Sequence, residues 1–164
     1  MNKLSFFLIL AAMVFAISSC KNNNKPEEQP VHESDTVVAE VPDSTVYGVL
    51  EESGMSTLYL RTGNGSTIVL DRTGEDGSYS EIYGYVAEGD SFAVTMKGDS
   101  INGYTLTRAY NLSLINRFAL DYSIRNGLFV LGGKDTVAIQ SLNDDSLVVK
   151  YASAQIKAFP SRNK

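Results

Sequence analysis

From Ser44 onward, apolar and polar residues alternate with a period of two, and the pattern restarts about every ten residues. Successive side chains of a strand point to opposite faces, so such a run offers one apolar face to a core and one polar face to water. "DSFAVTMK" (90–97) is the cleanest case, with Phe92, Val94 and Met96 on one side. "STVYGVLE" (44–51), "MSTLYLRT" (55–62), "STIVLD" (66–71), "EIYGYV" (81–86) and "GYTLTRAY" (103–110) carry the same signal. "GLFVLG" (127–132), "DTVAIQSL" (135–142), "DSLVVKY" (145–151) and a short run near Ile156–Phe159 extend it. Gly63-Asn64-Gly65, Gly132-Gly133-Lys134 and Asn143-Asp144 supply turns. Leu112–Asp121 reads as a short helix or a connector. Nine or ten short strands with tight turns predict an all-β barrel or sandwich. The alternation places Leu58, Leu60, Ile68, Leu70, Phe92, Val94 and Met96 in a first core. Val137, Ile139, Leu147 and Val149 fall in a second.

Two stretches resemble known architectures. "VYGVLEE", "STLYLRT", "STIVLDR", "YGYVAEGDSFAVTM" and "GYTLTRAY" together resemble an OB-like five-stranded barrel, with Glu88-Gly89-Asp90 as the tight turn returning into a core strand. The loop Arg72–Ser80 is too short and glycine-rich for the helix that normally caps such barrels. "GLFVLGGKDTVAIQSLNDDSLVVKY" resembles the last strands of the lipocalin-like domains of small envelope lipoproteins of Bacteroides-type bacteria. These resemblances imply a small antiparallel OB-like barrel over 44–111, followed by a C-terminal lipocalin-like antiparallel β-meander over 112–160 packed on it. One continuous lipocalin-like barrel is the alternative.

The N-terminus reads differently. Met1-Asn2-Lys3 is a short basic region, and Leu4–Ile17 is almost wholly apolar. At about 14 residues it falls short of the ~20 that span a bilayer as a helix. Ser18, Ser19 and Cys20 follow, the layout of a secretory signal peptide over 1–19. Ile17-Ser18-Ser19-Cys20 resembles the lipobox of bacterial lipoproteins. That resemblance implies cleavage before Cys20 and lipidation of its thiol, and several acyl chains hold a protein far more firmly than one. Cys20 is the only cysteine, so the fold forms without disulfides. Position 21 is Lys rather than Asp, which resembles outer-membrane retention. Residues 20–43 are rich in Asn, Glu and Pro and read as a disordered tether. Taken as ~23 flexible residues, it reaches about 25–30 Å from the anchor.

Composition narrows the chemistry. The formal charge is −5, which disfavours nucleic-acid binding, since that affinity rests on basic residues neutralising phosphates. The one histidine, His32, lies in the tether, so the predicted fold has no imidazole for Ser-His or Cys-His catalysis and no His or Cys to hold zinc. No cofactor or metal is expected. Ser161–Lys164 matches Ser-x-x-Lys only by chance at the tail, and the acidic "DRTGEDG" (71–77) lacks calcium-loop spacing. Glu51, Asp71, Glu88 and Asp121 are carboxylates with nothing to single out a pair. The expected function is a membrane-anchored, non-enzymatic envelope module that binds or scaffolds a small ligand, a glycan or a partner protein. A hydrolase working with carboxylates, Tyr or Lys alone is the alternative. If Leu58 and Leu60 point inward, Tyr59 and Arg61 point outward, and the same period sends Tyr47, Tyr83 and Tyr85 to the outer surface. These five residues form the expected ligand or partner face, or an internal seam if the C-terminal strands cover them.

Lipidation of Cys20 has a direct check. Intact-mass analysis of a Cys20→Ser variant is expected to show an unprocessed precursor that keeps residues 1–19. A variant that matures normally and stays in the membrane fraction contradicts the assignment.

Overall fold

The computed structural model describes residues 42–162. The leader 1–19, Cys20, His32 and the tether through Val41 lie outside the described residues. The first half is a closed barrel of five strands: β1 (Val46–Ser53), β2 (Thr57–Thr62), β3 (Thr67–Asp71), β5 (Ser91–Asp99) and β6 (Gly103–Asn111). Their order is β3-β2-β1-β5-β6, and β3 returns to β6 to close the ring. The closing pair is parallel, through Leu70–Tyr104 and Asp71–Thr105, while the other barrel pairings are antiparallel, as expected. A short strand, β4 (Glu81–Tyr83), runs parallel to β6 further along the same edge that β3 meets, opposite β5.

β1 belongs to both halves of the barrel. It pairs with β2 through Gly48–Ser53 and with β5 through Val46–Val49. Such a strand must curl. The register slips by one between Leu50 and Glu52, a bulge of the kind that bends strands. A Cβ at Gly48 would meet the Arg61 carbonyl oxygen at 2.6 Å and Leu60 Cγ at 2.7 Å, so only glycine allows the two strands to approach here. Inside lie Leu50, Leu58, Leu60, Leu70, Phe92, Val94 and Leu106, all buried, with Ile68 and Met96 packed against them.

The second half is an antiparallel meander: β7 (Tyr122–Arg125), β8 (Leu128–Leu131), β9 (Asp135–Leu142), β10 (Ser146–Tyr151) and β11 (Ile156–Pro160). It shares no strand pairing with the barrel, so the single continuous barrel does not form. β7 follows the stretch 112–121 that reads as a short helix or a connector, and sequence alternation assigns it no strand. That stretch holds a one-turn helix, α1 (Leu112–Ile115), and a 3-10 turn (Asn116–Phe118) that stops where Ala119 takes a left-handed φ of 55°. Asn111 caps α1. Its Oδ1 accepts from the Leu114 amide, and its Nδ2 donates to the Tyr85 carbonyl and to Asp90. Asn111 is fully buried, and these bonds meet the demand that burial imposes on a polar group.

A second core lies between the meander and the outer face of the barrel. Phe129, Val137, Ile139, Leu147 and Val149 of the meander pack with Ala93 and Tyr110 of β5 and β6, and Ile115 and Phe118 complete it. The core residues expected from alternation are where the pattern puts them. Phe92→Ala is expected to cost about 3–5 kcal/mol in denaturant unfolding. Val69→Ala, at a half-exposed site on β3, should stay within ~0.5 kcal/mol of the parent. Equal effects at the two positions would contradict this packing.

Candidate functional site

Two loops rise from one side of the barrel and enclose a groove of about 800 Å³. The first loop joins β3 to β4. It is a small hairpin closed by a bridge between Thr73 and Tyr79 and by the Gly74 amide bonding the Ser78 carbonyl. Asp76 accepts from the Ser78 amide and hydroxyl, and these bonds lower its carboxyl pKa. The Ser80 hydroxyl ties the base of the loop to the carbonyls of Arg72 and Leu106. The second wall is the tip of the β5–β6 hairpin, where Asp99 accepts from the amides of Ile101 and Asn102 and from the Asn102 side chain. Short polar side chains that bond their own backbone favour tight turns, so both walls are set before any ligand arrives.

The floor is the outward face of β5 and β6. Thr95, Lys97, Thr105 and Thr107 line it. The Thr107 hydroxyl bonds the Thr95 carbonyl at 2.8 Å and lies 2.9 Å from the Thr95 hydroxyl. At one end stand Arg108, Glu81 and Asn126. Arg108 Nε donates to Glu81 at 2.6 Å, and its Nη2 lies 2.5 Å from the same oxygen. Its Nη1 reaches the Gly127 carbonyl at 2.7 Å. Tyr79 stands in the loop wall with its side chain almost wholly exposed.

That end of the groove is also where the meander is fastened. Asn126 and Gly127 form the two-residue turn between β7 and β8, with φ of 49° and 70°. Positive φ at both central positions marks the turn type that Asn-Gly favours. The Asp43 carboxylate accepts from the Asn126 amide, and the Ser44 amide and hydroxyl both donate to Asn126 Oδ1. The Tyr110 hydroxyl joins Arg108 on the Gly127 carbonyl at 2.9 Å. A Cβ on Gly127 would come within 2.8 Å of Thr95 Oγ1, so the turn sits directly on β5. Burial pushes the Tyr110 hydroxyl up to about 12, which keeps it a proton donor across the physiological range.

The five face residues expected from sequence do not make one patch. Tyr47 and Arg61 line a separate groove of about 540 Å³ with Phe92 and Leu112, and the Tyr47 hydroxyl bonds the Ile124 carbonyl of β7. Tyr59 lies between Glu52 and Val69 of its neighbouring strands, and Arg61 pairs with Glu51 at 2.9 Å. Tyr83 turns to the seam, stacked on Tyr110 with ring centres 5.0 Å apart, and burial raises its pKa. Tyr85 is half-exposed, its hydroxyl 3.4 Å from Asp144. Sequence reasoning passed over the groove residues Tyr79, Thr95, Lys97, Asn102, Thr105, Thr107, Arg108 and Asn126. The signal for part of this set was present, since alternation that sends Val94 and Met96 inward sends Thr95 and Lys97 outward. Among the described residues no group of three acidic, His or Cys side chains could hold a metal ion.

The clasp at Asp43 gives a pH test. Hydrogen bonds from the Asn126 amide, then from Thr45, hold the Asp43 carboxyl below its ordinary 3.8. Its stabilisation is therefore full above that value and is lost as pH falls through the lower folded value. The melting-temperature gap between the parent and Asp43→Ala is expected to be constant from pH 7 to about 5 and to shrink below pH 3.8. A gap that grows on acidification would contradict the clasp.

No protein-family model, curated protein or solved structure matches the chain significantly.

Proposed function

We propose that this chain is a lipid-anchored envelope lipoprotein, held more specifically at the outer membrane, whose folded part is a non-enzymatic binding module. The groove between the β3–β4 loop and the β5–β6 hairpin is its working surface. The ending Ile17-Ser18-Ser19-Cys20, after a basic start and an apolar run, supports the anchor. The observation that carries the binding role is the groove itself: two walls fixed by their own hydrogen bonds over a floor of hydroxyls. Its volume lies within the roughly 300–1,000 Å³ of small-molecule sites. Glu81, the carboxylate at its end, is held by two nitrogens of Arg108 and by the Tyr83 hydroxyl. That geometry suits an acceptor that orients a ligand better than a base that must take and release a proton.

The test fills the groove. Thr105 lies on its floor, and a large aromatic is well tolerated on the open face of a strand. Thr105→Trp is expected to abolish capture of envelope components during purification from detergent-solubilised membranes, with the melting temperature within a few degrees of the parent. Capture that survives the filled groove would place the working surface elsewhere, and the Tyr47–Arg61 groove would then be the next to fill.

A further inference from the structure

The lining of the main groove selects among ligand classes. Its charges are Glu75, Asp76 and Glu81 against Lys97 and Arg108. Arg108 and Glu81 neutralise each other, which leaves the Glu75 and Asp76 carboxylates against the Lys97 ammonium, a balance of about −1. The groove therefore presents no concentrated charge of either sign, and a polyanion would find Lys97 as its main attraction. A fatty or purely aromatic ligand would strip water from the Thr105 hydroxyl and the Lys97 ammonium and return no hydrogen bonds, which is costly. Groups that both donate and accept suit this floor and the Asn102 and Asn126 amides.

One further residue completes the pattern. The Tyr79 ring is 84% exposed, yet its backbone is fixed by the bridge to Thr73. A large aromatic set in water at the wall of a polar groove, on which no ring of the described residues stacks, is a platform for a ligand. A sugar ring has a matching shape: one face of C–H groups that lies flat on an aromatic ring, and a rim of hydroxyls that both donate and accept.

We propose that this groove binds an uncharged oligosaccharide, with one sugar ring laid on Tyr79 and its hydroxyls paired to the threonine floor, Asn102 and the Arg108–Glu81 pair. The inference rests on the reading of the chain as a binding module and names its ligand class.

The experiment is a glycan array of neutral and acidic oligosaccharides probed with the full, lipidated protein in a detergent that carries no sugar, followed by calorimetric titration of the strongest binder. Binding of a neutral oligosaccharide is expected. Tyr79→Ala should weaken it on the order of tenfold or more, Tyr79→Phe should keep it, and both should melt with the parent. Loss on Thr105→Trp places the sugar in the groove. Acidic oligosaccharides bound in preference to neutral ones, with the same sensitivity to Thr105→Trp, would overturn the ligand class and leave the binding module standing. Neutral binding indifferent to both positions would overturn the site. An array with no neutral binder would overturn the inference, and if Thr105→Trp also leaves envelope capture intact, the reading of the groove as a working surface falls with it.

Discussion

The Gly127 carbonyl is the joint on which the two halves of the fold depend. It accepts from Arg108 Nη1 at 2.7 Å and from the Tyr110 hydroxyl at 2.9 Å, both carried by β6 of the barrel. Because Gly127 sits in a two-residue turn with no room for a side chain against Thr95, those bonds fix where the β7–β8 hairpin touches the barrel. The rest of the meander follows in register from that hairpin. A charged donor and a largely buried neutral one on one carbonyl make this a strong contact, and losing either leaves a partner with unmet demand.

Apolar burial holds the halves together, and the polar contacts decide their placement. The seam core runs from Ala93 and Tyr110 to Phe129, Val137 and Leu147, and hydrophobic burial of that kind has no preferred register of its own. The rings add some direction. Tyr83, Tyr110, Phe129 and Tyr122 stack in turn, with centres 5.0, 6.0 and 5.3 Å apart, so a ladder of four rings crosses from barrel to meander. The exposed ion pairs Arg61–Glu51 and Arg117–Asp144 contribute little, since solvent screens such pairs to roughly 0–1 kcal/mol. The joint also shapes the groove. Arg108 and Asn126, which seat the meander, also form the end of the groove, so docking the meander shapes that end.

Where local pattern decides structure, the sequence was readable. Period-two alternation located ten of the strands and the inward residues of both cores, because burial of one face acts on each strand separately. β7 escaped because "YSIR" is four residues long with only Tyr122 and Ile124 apolar. Yet Asn126-Gly127 between "YSIR" and "LFVL" is a strong hairpin signal that the longer runs overshadowed. The parallel closure of β3 on β6 was not legible, since it pairs Leu70 with Tyr104 across a long stretch of chain and leaves no local trace. The same holds for the groove. Tyr79 and Asn102 meet across it only once the barrel has closed, and the outward tyrosines were legible as outward without any sign of which ones the meander would cover.

The central claim is that barrel and meander form one cooperative unit fastened at the Asn126–Gly127 turn. Amide hydrogen exchange across a denaturant series measures this most directly, because it reports the opening free energy of each segment. If the claim holds, the amides of β5 and β6 and those of β8, β9 and β10 will converge on a single opening free energy, with Asn126 and Gly127 among the protected ones. A meander that exchanges through its own lower-energy opening, while the barrel stays protected, would contradict it.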